Sequence, residues 1–144
     1  MADAKFSITA VSENATKTTV KARNFSMVID EPPSLGGKDE GANPVEFVLA
    51  ALAGCLNVMG NVLANEMGIK LNSYKINISG TLDPAFLFGK TTEGRAGYKE
   101  VVAELDVDSD AYAETLAKWV EAVESRCPVS DNLSNATPLK VVLK

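Results

Sequence analysis

Apolar residues in this chain first alternate with polar ones, then run almost unbroken, then alternate again, and each change of period marks an element. Lys5–Val11, Thr18–Ala22 and Asn24–Ile29 read as three short strands, with Ser12-Glu-Asn-Ala15 as the loop of a first hairpin and Arg23 at the second junction. From Val45 to Ala64 the apolar positions cover every face, which predicts a helix buried all round. Asn43 suits its N-cap, Pro44 its first turn, and Glu46 the capping-box carboxylate; Gly68 suits its end, after about Met67. Glu46, Asn57, Asn61, Gly54 and Gly60 interrupt the run and favour a core helix over a membrane span. Gly54 and Gly60 would leave a groove on it where a second helix backbone could approach.

Alternation returns at Ser73–Asp83 and at Tyr98–Val107, two further strands each with one buried face. Between them Pro84–Gly97 is a long, partly hydrophobic loop, and loops of that length within a domain are often functional. A second helix is expected from Ser109 or Asp110, with the stripe Tyr112, Leu116, Trp119, Val120 and Val123 leading to Cys127, where Pro128 stops it. Leu139–Leu143 reads as a last strand. The whole is one α+β domain, residues 1–144, with neither repeat nor linker. The loop Asp30–Gly41 has the glycines of a phosphate loop without its spacing, because Lys38 is followed by Asp39.

Composition then narrows the chemistry. The chain has no histidine, which removes the Ser-His-Asp triad, the Cys-His dyad and the usual zinc site, so no metal or other cofactor is expected. A net charge of −5 with scattered lysines argues against nucleic acid as a partner. Met1-Ala-Asp-Ala-Lys5 leads straight into strand-like sequence without a signal pattern, and a cytoplasmic, membrane-free setting is the expectation. The five Asn-x-Ser/Thr sequons then carry no glycosylation. Both cysteines, Cys55 in the apolar helix and Cys127 at the end of the second, are expected as free thiols or as a redox couple.

Packing and reactivity both remain open for each cysteine on periodicity alone. Burial disfavours a thiolate at Cys55, which lies too far from its helix N-terminus for the dipole to help. A reactive Cys55 therefore calls for a cation, and the chain has three arginines: Arg23, Arg95 and Arg126. Arg95, flanked by glycines in the hydrophobic loop, is the first candidate; Arg126 can simply cap its helix. Glu46 is a further candidate for the site, although capping is its simpler role.

The segments Asn43-Pro-Val-Glu-Phe-Val-Leu-Ala-Ala-Leu-Ala-Gly-Cys55 and Cys127-Pro-Val-Ser-Asp-Asn-Leu133 resemble the osmotically induced protein C (OsmC) and organic hydroperoxide resistance superfamily. The resemblance implies an OsmC-like α+β fold, with antiparallel sheets around a long central helix, in an intertwined homodimer. It also implies thiol-dependent reduction of organic hydroperoxides in oxidative or osmotic stress defence. Cys55 would be the peroxidatic thiol and Cys127 the resolving thiol of an intramolecular disulfide, which a cellular dithiol reductant reopens. Two positions depart from the best-characterised branch. Val45 stands where that branch has a glutamate, and the arginine that branch carries after paired glycines early in the chain is absent from the first hairpin here, Gly36-Gly37 being followed by Lys38 just before the central helix. Phe86, Leu87 and Phe88 would favour bulky organic peroxides. The alternative is a non-catalytic dimeric module that binds a small hydrophobic ligand.

Overall fold

A computed structural model describes all 144 residues. They form two compact units, Met1–Val48 and Leu49–Lys144, with the long helix α1 (Pro44–Glu66) running through the division.

The first unit holds an antiparallel sheet of β1 (Thr9–Ser12), β2 (Thr18–Ala22) and β3 (Phe25–Ile29), in that order. Asn14 makes the first hairpin loop, its side-chain oxygen accepting from the amides of Thr16 and Lys17 at 3.0 and 2.8 Å. The second hairpin turns at Arg23, whose φ of 55° is a conformation that favours glycine. The expected strand Lys5–Val11 is shorter than its pattern: Thr9 pairs with Lys21, and one residue further β2 ends at its turn. Phe6 and Ile8 therefore lie exposed beyond the ladder.

Asp30 organises the loop that follows β3. Its buried carboxylate accepts backbone amides of Glu31, Lys38 and Glu40 at 2.8, 3.1 and 3.2 Å. Amides that could have held a phosphate are thus already occupied by the chain's own anion. The start of α1 is the capping box expected: Asn43 Oδ1 accepts from the Glu46 amide and Glu46 Oε2 accepts from the Asn43 amide, both at 2.9 Å.

In the second unit α1 ends as its glycine implies. Gly68 has φ 67°, with Ile69 N–H donating to Ala64 O and Gly68 N–H to Asn65 O, the paired bonds of a Schellman cap. Strands β4 (Leu71–Thr81) and β5 (Glu100–Ser109) form a separate antiparallel pair whose alternate residues Tyr74, Ile76, Ile78, Val101, Leu105 and Val107 pack on the core. Helix α2 (Ala113–Arg126) starts later than its periodicity suggests, because Ser109 remains in the strand and donates through its hydroxyl to Lys70 O at 2.7 Å. Leu52, Leu56, Leu63 and Ala64 of α1 close the core with Ile69, Trp119, Val123 and Cys127.

Four expectations need correction. Helix α1 is not buried all round: one face packs in the core, while Val58 and Val62 on the other are 57% and 40% exposed. Its length and composition would suit a membrane span, yet that one face carries the core of the unit. Gly60 does not open a groove to the outside, since the Tyr74 ring lies against it; a Cβ there would stand 2.5 Å from Tyr74 Cε1. Pro128 stops α2 and at once begins a further helix, α3 (Pro128–Ser134), in which its missing N–H costs nothing. Leu139–Leu143 forms no ladder and is fully exposed at its apolar residues, because no strand edge of its own unit takes it up.

Candidate functional site

Residues 72 positions apart in sequence meet at the site: Cys127 Sγ lies 2.9 Å from Cys55 Sγ. Cys55 is carried by α1, one turn after the core residue Leu52 and next to Leu56. Cys127 is carried by the break between α2 and α3, next after Arg126 and one turn beyond Val123, the last residue of the stripe that buries Trp119 and Val123. A disulfide bond is about 2.05 Å long, so the two sulfurs need approach by less than about 1 Å to be joined. Both are free thiols here.

The two sulfurs are not equivalent. Cys55 is half-buried, whereas Cys127 is 1% exposed. Cys127 is also the N-cap of α3, and its sulfur accepts from the Ser130 amide at 3.4 Å. Burial pushes the Cys55 thiol up, and its hydrogen bond with Cys127 pushes it further. Burial acts on Cys127 in the same direction. There it is outweighed by the hydrogen bond with Cys55 and by those of the Ser130 side chain and amide and the Val129 amide, which bring that thiol below its ordinary value. The two thiols are thus pushed in opposite directions, Cys55 up and Cys127 down.

Around the sulfurs the core is rigidly keyed. Trp119 Nε1 donates to Gly60 O at 2.9 Å, and the Tyr74 hydroxyl donates to Leu56 O at 3.1 Å. Their rings meet edge to face with centroids 5.4 Å apart. Burial, with the charge at Cys127 behind it, pushes the Tyr74 phenol up to about 12, so it remains a neutral donor.

None of the remaining sequence candidates is among the hydrogen-bond partners of the two sulfurs. Arg126 turns to Glu66, with its two terminal nitrogens 2.6 and 3.2 Å from the carboxylate oxygens. Arg95 is exposed on the loop between β4 and β5, and the hydrogen bonds to the sulfurs come from Ser130 and Val129 instead. In that loop Leu87 and Phe88 are exposed, and Lys90 stands over the Phe88 ring. Glu46 closes the helix cap. Sequence reasoning passed over Ser130, although a polar residue three positions after a capping side chain, with proline first in the helix, is a helix-start signal. The polar cleft beside it, about 170 Å³, is lined by Glu124, Ser125, Ser130, Asp131, Ser134 and Asn135.

Residues 37–142, which contain both cysteines, match the family model of OsmC-like proteins. The chain is an OsmC-like protein. Its similarity extends to the hydroperoxide reductases of Mycoplasma genitalium, 28% identical over 139 residues, and Mycoplasma pneumoniae, 25% identical over the same length. Each alignment covers 96% of this chain and 94% of the relative. An OsmC-like protein of Mycoplasma pneumoniae has a similar solved structure, with a TM-score of 0.80 at 24% identity, covering 92% of this chain and 89% of that one. The OsmC-like chain therefore carries the family's α+β fold.

Proposed function

We propose that this OsmC-like protein reduces organic hydroperoxides through its two cysteines. The observation that carries the reading is the 2.9 Å approach of Cys55 and Cys127; the hydroperoxide reductases among its relatives support it. Cys55, the more open sulfur, attacks the distal peroxide oxygen. The O–O bond breaks, the alcohol leaves, and Cys55 becomes a sulfenic acid, oxidised by two electrons. Cys127 then attacks the sulfenic sulfur, water leaves, and the disulfide closes. A dithiol reopens it by exchange and is itself oxidised.

The exposed apolar face of α1 supports a homodimer as the working form, since a twofold partner presenting the same helix would cover it. Intact-mass measurement under non-reducing conditions tests the chemistry. One equivalent of an organic hydroperoxide is expected to remove two hydrogens from the reduced protein and to leave no alkylatable thiol. Cys55→Ser is expected to abolish peroxide consumption. Two free thiols surviving excess hydroperoxide would sink the reading in favour of a binding module.

A further inference from the structure

We propose that the reduced Cys55–Cys127 pair is a binding site for arsenite and related trivalent oxyacids, whose central atom bonds both sulfurs at once. The site goes beyond the peroxidase reading and does not depend on it, since it needs only two thiols held close together.

The distance between the sulfurs selects the ligand. Bonds from thiolate sulfur to an ion of zinc's size are about 2.3 Å long. A linear two-coordinate ion such as copper(I) therefore holds its two sulfurs about 4.6 Å apart, and a tetrahedral ion about 3.8 Å. Trivalent arsenic is pyramidal. Its lone pair presses the three bonds to angles of roughly 95°, which at the same bond length puts two sulfurs about 3.4 Å apart. In this protein they lie at 2.9 Å. Closing on arsenic takes a parting of about 0.5 Å, supplied by a rotation of roughly 20° at one Cys χ1, within a staggered well.

Larger partings are resisted from the Cys127 side. Its sulfur accepts from the Ser130 amide at 3.4 Å as the N-cap of α3, and the residue is 1% exposed in a core with Trp119 and Val123. A linear ion would have to part the sulfurs by about 1.7 Å, at the expense of that cap or by overpacking the core. The small movement that arsenic needs falls to Cys55, the half-buried member.

Coordination number points the same way. Zinc in a structural site takes four ligands, and no group of three or more His, Cys, Asp or Glu side chains gathers in this chain. Trivalent arsenic needs only the two thiols and keeps its third oxygen. Arsenous acid is uncharged at neutral pH, which suits a pair whose chain neighbour Arg126 is engaged by Glu66. Two S–H and two As–O bonds break, two As–S bonds form, and two waters leave. Arsenic stays trivalent, and neither sulfur is oxidised. On the peroxidase reading, arsenite then competes with hydroperoxide for the reduced protein.

Native mass spectrometry of the reduced protein with arsenite, beside protection of Cys55 from N-ethylmaleimide, tests the site. One arsenic per chain and a protected Cys55 are expected. Cys55→Ser and Cys127→Ser are each expected to bind at least about 100-fold more weakly, because no second bond can form within the chain. Serine is a favoured N-cap, so Cys127→Ser keeps the start of α3. Wild type closed to the disulfide with diamide, which oxidises thiols directly, gives the same comparison without a substitution and is expected to take up no arsenic. Zinc at the same concentration is expected to leave Cys55 open to alkylation. No adduct on reduced wild type, undiminished affinity in a single-thiol variant, or protection by zinc equal to that by arsenite would overturn the proposal. Hydroperoxide consumption is read separately: wild type that binds arsenite yet is inert to hydroperoxide would sink the peroxidase reading and leave this site standing.

Discussion

Glu66 and Arg126, the last residues of α1 and α2, close on each other in a two-pronged ion pair at 2.6 and 3.2 Å. The residue that follows Arg126 is Cys127, so the clamp fixes the point from which the second sulfur is presented. Glu66→Gln and Arg126→Gln are each expected to slow disulfide closure about tenfold, through misplacement of a reacting group. The double variant should lose no more than either single one, because both remove the same contact. Stopped-flow tryptophan fluorescence during oxidation would give the rates; strictly additive losses would mean that the two residues act separately.

Gly60 is held in place from two sides, by Trp119 at its carbonyl and by Tyr74 over its Cα. Gly60→Ala would push a methyl to within 2.8 Å of the Tyr74 hydroxyl and 2.5 Å of its ring. Overpacking of this kind costs about 1–3 kcal/mol, read from the denaturant midpoint. Gly54 is the contrast: it is exposed and nothing lies within 4 Å of an added Cβ. Gly54→Ala is expected to stabilise an isolated chain by about 0.5–1 kcal/mol on helix propensity. A loss at Gly54 would instead mark it as covered by a partner.

Asp30 makes the loop Asp30–Gly41 sensitive to acid. Burial raises its carboxyl, but the amide of Glu40, the Thr16 side chain and the amides of Glu31 and Lys38 together hold it down, to about 2 against an ordinary 3.8. The folded state therefore favours the carboxylate. That contribution is complete above pH 3.8 and is lost as pH falls through about 2. Unfolding midpoints of wild type should decline across that window, and those of Asp30→Asn should start lower and decline less.

A dimer is expected from the face of α1 that its own chain leaves open, and from the exposed Leu139, Val141, Val142 and Leu143. Sedimentation at low micromolar concentration should give twice the 15.3 kDa chain mass. Val58→Lys with Val62→Lys is expected to shift the protein to monomer or to insoluble material. An unchanged species after that double substitution would put the contact elsewhere.

Local signals in the chain were fully legible. Asn43, Glu46 and Gly68 marked the two ends of α1 because caps depend only on neighbours within a few residues. The alternation of Tyr74, Ile76 and Ile78 likewise announced a one-sided strand. Length and burial were less legible, since they depend on what lies opposite. Phe6 and Ile8 alternate correctly and still lack a partner, because β2 ends at its turn. The all-apolar α1 read as buried on every face, although one chain covers only one of them. At the candidate site, the two cysteines could be named from sequence, but not their inequality, to which burial and the hydrogen bonds from Ser130 contribute. Pro128 concealed that helix by looking only like a stop.

On the proposed chemistry Cys127 is both a reacting sulfur and the cap of α3, so its electron pairs serve two partners in turn. Once the sulfur is bonded to Cys55, the Ser130 amide would face a weaker acceptor. The first turn of Pro128–Ser134 would then be the part of the fold that registers oxidation, as a helix end loosened when its cap is taken up by a disulfide. Amide exchange at Ser130 should be faster in the oxidised protein than in the reduced one; equal rates would mean that the cap holds without the free thiol. The chemical state of an interior sulfur would in that way be displayed on a surface segment, where an approaching reductant could meet it.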